Sequence, residues 1–271
     1  MSYNQKQKYF VLLASLITFI GLCSCQQKPA NLALLNASPV TPATRPLLAP
    51  AYGLLQPGTT RYVNLEKPQA EPLTITIAPD DRFGGSVSRT LNDQRIEYLG
   101  ISKRGNTVMH ASTDIKRGTT TIFPTPLILA SASQPPLQPA HQEVPAQLVD
   151  SESIKKVEAH GIGRRTAVYE GSCVIETNQG PITTQQIRTM FRADLSIAQA
   201  RYTGLIFVAN QPQPGIVAMV LTEELRVFGI PMRSESGTYL REDLVVRPTT
   251  APSSPNADST RATNESNASS G

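Results

Sequence analysis

The chain of 271 residues carries 25 Lys and Arg against 21 Asp and Glu, a formal net charge of +4, with 22 prolines, three histidines, three cysteines and no tryptophan. The positive charge is scattered, so no basic stripe points to nucleic acid as a partner. Three cysteines in a chain of this length offer no disulfide framework.

Lys6 and Lys8 precede an apolar run from Tyr9 to Leu22 that only Ser15 and Thr18 interrupt, and small residues follow. Charge, apolar stretch and small residues in that order are the layout of an export signal. At 14 residues the run falls short of the roughly 20 that a membrane-spanning helix needs. Leu22, Cys23, Ser24 and Cys25 then place an aliphatic residue three positions before a cysteine and a small residue directly before it. This strongly resembles the lipobox of bacterial lipoproteins. The resemblance implies a signal peptide over 1–24 and Cys25 as the lipid-bearing first residue of the mature chain, with Leu22 and Ser24 selecting it. In that family the thiol carries a diacylglycerol and the new amino terminus is acylated. At roughly 0.8 kcal/mol per buried methylene, two or more acyl chains hold a soluble domain on a membrane. Gln27 stands where an inner-membrane retention signal would have Asp, so the resemblance implies a lipid-anchored envelope protein of the outer membrane. Cys23 leaves with the signal, Cys25 is consumed by lipid and Cys173 is left alone.

Residues 25–50 are rich in Pro, Ala and Asn without a period, the composition of a flexible tether. The tail, 247–271, is Ser, Thr, Asn, Pro and Ala with almost nothing apolar to offset ordering entropy, and reads as disordered. "NES" at Asn264 fits an N-glycosylation acceptor, but the lipobox argues for a bacterium.

Between them alternation at period two dominates, the pattern of half-buried strands. Leu73, Ile75 and Ile77 share one side of their run; Ile187, Phe191, Ala193 and Leu195 share one side of theirs, with Arg188, Arg192 and Asp194 opposite. Turn residues at Asp80, Lys103, Lys116, Thr177 and Asn210 separate the runs. The pattern predicts a mainly β, antiparallel curved sheet, as one sheet or two, or a half-barrel. A first β unit, 51–130, holds strands at 61–65, 73–78, 86–91, 95–101, 107–112 and 119–123. Four prolines between Ser131 and Ala146 predict a linker over 131–153, because proline removes ladder donors. A second unit, 154–246, holds strands at 166–177, 182–195, 200–209, 216–228 and 231–241, with a short helix near Ser151.

The long runs "VIETNQGPITTQQIR", "FRADL" and "YTGLIFVANQPQPGIVAMVLTEELRVFG" are similar to the strand meander of curved-sheet envelope proteins such as the lipoprotein carriers LolA and LolB. The similarity is one of architecture and implies a hydrophobic cavity for acyl chains. A cavity of that kind would be lined by inward residues such as Phe191, Leu205, Phe207, Val217 and Phe228.

Motifs of catalysis are sparse. His110, His141 and His160 lack metal-ligand spacing, and no GxSxG is present. "GIGRR" at Gly161 lacks the third glycine of a phosphate loop. Cys173 sits among Val174 and Ile175 in an expected strand, where free cysteine behaves as a small hydrophobe. Asp80 with Arg82, and Glu223 with Arg226, read as charges on turns and wet faces. The expectation is a non-catalytic, membrane-anchored lipoprotein with a binding or structural β domain, no cofactor and no metal. Its partners would be the membrane through Cys25 and an envelope protein. The alternatives are a carrier or sensor of a hydrophobic ligand, and an enzyme with an unrecognised site.

Overall fold

The computed structural model describes residues 32–151, 156–210 and 214–245. Cys25, Leu22 and Ser24 lie outside them, as does the tail. Fifteen strands follow in chain order: β1 (Thr41–Pro42), β2 (Leu47–Leu48), β3 (Gly58–Asn64), β4 (Leu73–Pro79), β5 (Val87–Leu91), β6 (Arg95–Ile101), β7 (Thr107–Asp114) and β8 (Thr119–Ala130). After these come β9 (Ser133–Gln134), β10 (Pro139–Asp150), β11 (Val157–Thr177), β12 (Gly180–Leu195), β13 (Ala198–Ala209), β14 (Gly215–Val227) and β15 (Ile230–Arg241). Among the described residues there is no α-helix, only short 3₁₀ turns.

Apart from β1, β2 and β9, each strand pairs antiparallel with its neighbour in the chain, and β15 returns to β3 through Tyr239–Asn64, Leu240–Val63 and Arg241–Tyr62. The curved sheet therefore closes into a twelve-stranded barrel. Closure removes the free edges that an open sheet would expose. The two β units expected from sequence are one continuous sheet.

The expected linker is strand β10. Prolines are tolerated because the ladder between β10 and β8 covers only Gln147 to Asp150, leaving Pro145 beyond it, and Pro139 opens the strand. Pro124 and Pro126 of β8 fall where β8 has no paired residue on β7. On the other side of β8, beyond its short ladder with β10, the side chain of Gln142 on β10 joins the two strands. Its Oε1 accepts from the Ile128 amide at 2.6 Å and its Nε2 donates to the Pro126 carbonyl at 3.1 Å. The expected helix near Ser151 is also overturned where it is described, since Val157 onwards is strand.

Residues 32–50 are not a free tether. Ser38 and Ala43 donate backbone bonds to β11, and β1 pairs with Ser172 and Gly171. Gly171 is required there: its φ is +149°, and a Cβ would lie 2.0 Å from the Thr41 carbonyl oxygen. The chain then turns inward. Leu47, Ala49, Ala51, Tyr52 and Leu54 are buried against lumen-facing Leu99, Met109, Phe123, Leu127, Tyr169 and Ile187. Each large apolar side chain so covered contributes about 1.5–3 kcal/mol.

A second apolar cluster lies on the outer surface. At Glu170 a bulge shifts the register, so that Tyr169 faces Ile187 inside the barrel while Gly171 faces Gln186 outside. Beyond the bulge Cys173 and Ile175 point outward. There they pack with Phe207, Val217 and Leu240 beneath Leu35 and Leu244.

Candidate functional site

Charges inside a barrel need partners. Arg165 projects into the lumen from β11, in register with Gln142 and Phe191. It is buried, and its neighbour is the Tyr52 hydroxyl; among the described residues no carboxylate forms an ion pair with it. Burial lowers the Arg165 pKa and raises that of Tyr52, and the attraction of each for the other opposes both shifts.

A larger polar cluster closes the end of the lumen where β6 begins. Arg89 bonds Glu97 on the neighbouring strand. Arg95 reaches across to Glu223 at 3.0 Å, its guanidinium carbon 4.8 Å from the Tyr202 ring centroid, and the Tyr202 hydroxyl donates to Glu223 at 2.8 Å. Burial opposes the charge on Arg95, but Tyr202, Glu223 and Glu97 together hold its pKa above the ordinary value. Burial likewise pushes the Tyr202 phenol up. These groups satisfy one another and tie the two walls together. The Glu223 that sequence reading set beside Arg226 is thus bonded to Arg95, because adjacent strand residues point to opposite faces.

The outer wall of β12, β13 and β14 carries the other concentration of charge. Arg192, Gln199, Ala200, Arg201, Glu224 and Arg226 line a cleft of about 240 Å³. Arg164, Arg192 and Arg201 lie side by side in the register across three strands, and Glu224 follows Arg201. Arg192 is neutralised by Asp194 at 2.7 Å, and Arg164 by Glu143 and Asp194. Among the described residues neither Arg201 nor Arg226 forms an ion pair. Past Arg226 the chain reverses through Phe228, whose φ is +49° and whose side chain is 76 % exposed. Ile230 and Met232 beside it are 51 % and 59 % exposed.

The five residues expected to line one cavity are not brought together. Phe191 faces the lumen, 6.4 Å from the Phe123 ring and 5.8 Å from Tyr202. Leu205, Phe207 and Val217 belong to the outer cluster under Leu35 and Leu244, and Phe228 is the exposed hairpin apex. Phe191 pairs with Tyr202, so Leu205 and Phe207, at odd offsets from Tyr202 on the same strand, face outward opposite Arg188 and Gln186, and that pairing is not visible in the residue pattern.

The nucleophile and histidine candidates stand apart. Cys173 is buried with its sulfur 3.3 Å from the Thr184 hydroxyl, and burial pushes its thiol pKa up. His110 lies against Gly84 and Gly100, where burial lowers its pKa. His141 bonds the Thr166 hydroxyl at 2.9 Å and His160 is exposed. Asp80 is held below the usual carboxylate range by its bonds to Arg82, which stacks 4.9 Å from the Tyr98 ring. Gly161 to Arg165 form part of β11 and no loop. Among the described residues no group of three metal-ligating side chains could hold an ion, and no helix is long and apolar enough to cross a membrane.

The fold and these sites define a self-plugged, up-and-down antiparallel barrel with a charged outer wall. No family model, curated protein or solved structure matches the chain.

Proposed function

We propose that the chain is a non-catalytic envelope lipoprotein, anchored through Cys25, whose barrel is a binding or structural domain at the membrane surface. The observation that carries this reading is the filled lumen: Leu47, Ala49, Ala51, Tyr52 and Leu54 occupy the space a hydrophobic ligand would need. The charged outer wall supports the same reading. Arg164, Glu170, Arg188, Arg192 and Arg201 face outward, whereas a membrane-crossing barrel presents an apolar band to lipid. An enzyme relying on Cys173 would need a thiolate, and a thiol held protonated by burial is a poor one.

The anchor is tested by metabolic labelling with a fatty acid. Label is expected in the wild type and absent from Cys25→Ser; label retained by that variant refutes the anchor. The binding reading is tested by mass spectrometry of what co-purifies with the detergent-extracted chain. A protein partner supports it, whereas a stoichiometric non-covalent lipid would favour the carrier.

A further inference from the structure

The apolar hairpin tip and the unpaired arginines adjoin, and their chemistry is complementary to one kind of surface. Phe228, Ile230 and Met232 expose large apolar side chains at the turn between β14 and β15. Arg226 is two residues before the apex, and Arg201 lines the same cleft. The cleft holds three arginines to one carboxylate, Glu224, and among the described residues neither Arg201 nor Arg226 forms an ion pair, so an apolar wedge beside net positive charge suits the interface of an anionic bilayer. Apolar side chains enter the acyl boundary while guanidinium groups hold phosphate oxygens.

The position of the chain's beginning agrees with this orientation. Leu35 lies on the outer cluster formed by β11, β13, β14 and β15, at the opposite end of the wall that carries the arginine cleft. Leu32 and Leu34 are also exposed there. Leu32 is seven positions after Cys25, a reach of at most about 25 Å. From Val217 to Phe228 the wall extends roughly 37 Å at 3.4 Å per residue. With the wall lying along a bilayer, its two ends meet the same surface.

We propose that the outer wall of β11 to β15 docks flat on anionic phospholipid, with Phe228, Ile230 and Met232 in the interface and Arg201 and Arg226 binding a lipid phosphate. The argument from the tip and the cleft stands on the structure alone; the argument from the amino-terminal end rests on the Cys25 anchor.

The chain has no tryptophan, so Phe228→Trp places a single reporter at the apex. The full chain carrying it is reconstituted with vesicles of phosphatidylglycerol and phosphatidylcholine, or phosphatidylcholine alone, each with a brominated counterpart as quencher. The expected result is blue-shifted emission, quenched by brominated lipid, in the phosphatidylglycerol vesicles only. Arg201→Gln with Arg226→Gln should lower the docked-to-undocked ratio roughly thirtyfold, from about 1 kcal/mol per basic side chain near an anionic surface. Far-UV circular dichroism of that variant checks that the barrel is intact.

Water-exposed, unquenched emission in the phosphatidylglycerol vesicles overturns the proposal. So does equal quenching in pure phosphatidylcholine. Fatty-acid labelling separates the two readings. A labelled chain with an exposed tip sinks the docking and spares the anchor, and the reverse outcome sinks the anchor and spares the docking.

Discussion

The barrel has a short wall and a tall one, and their difference assigns their work. Strands β3 to β7 run five to eight residues each, whereas β10 to β15 run twelve to twenty-one. In the short wall nearly every residue is paired in a ladder with a neighbouring strand. The tall wall has length to spare beyond β3, which pairs with β15 only at Tyr239, Leu240 and Arg241. That surplus forms the lip bearing the arginine cleft and Phe228. A structural half and a presenting half are thus drawn from the same strand pattern, distinguished by length.

The plug segment binds both walls, so the harshest way to break the comparison is to remove it. Tyr52→Ala leaves a cavity and strips Arg165 of its neighbour; a loss of about 3–5 kcal/mol is expected from urea denaturation, in one transition. Two separate transitions would mean that the walls fold as independent units. Arg95→Met cuts the cross-lumen pair and strands Glu223. Since both side chains keep some contact with water, about 2 kcal/mol is expected, less than a fully buried pair would cost. Glu223→Met in that background should restore part of the loss, and no recovery would show that the two residues act separately.

A pH titration sharpens the contrast more gently. Burial pushes the Tyr62 phenol up to about 12, while its hydroxyl donates to the Ile216 carbonyl at 3.0 Å. The folded value lies above the unfolded one, so this contribution is complete below pH 10 and disappears as pH rises through about 12. Phenolate absorbance should show Tyr62 titrating late, with alkaline unfolding alongside it; Tyr62→Phe should lessen the alkaline loss. The smallest effect belongs to the lip. Arg201→Ala should change stability by no more than about 0.5 kcal/mol by thermal unfolding, because the side chain has no ion pair to lose. A larger loss would place Arg201 in the scaffold.

Local alternation made most of the strands readable. The run from Arg95 to Ile101 has the same bounds in sequence and structure, and β4, β12 and β14 differ from expectation by one or two residues. What escaped was non-local. Nothing near Tyr62 announces that it faces Arg241, and ring closure is a property of that pair. β10 was hidden by prolines whose missing donors cost no ladder bond, with Gln142 supplying the bridge. The plug was missed because Leu47, Tyr52 and Leu54 have no period, although so dense an apolar run is unusual for a tether. In the candidate site Arg192 stood out as the polar side of its strand and Arg226 as a charge on a wet face, whereas nothing in the pattern singled out Arg201. Which of them lack a partner depended on contacts between strands, such as Arg164 with Asp194 and Arg95 with Glu223.

The closure between β3 and β15 also sets an order of events. A polypeptide synthesised from its amino terminus delivers the plug first and the strand that shuts the ring last. Until Arg241 arrives opposite Tyr62, the apolar residues between Leu47 and Leu54 have only a partial container, and the entropy of joining distant segments is still unpaid. Such a chain should be slow to mature and vulnerable to proteases until its synthesis is complete. It then becomes resistant abruptly, when its final strand docks.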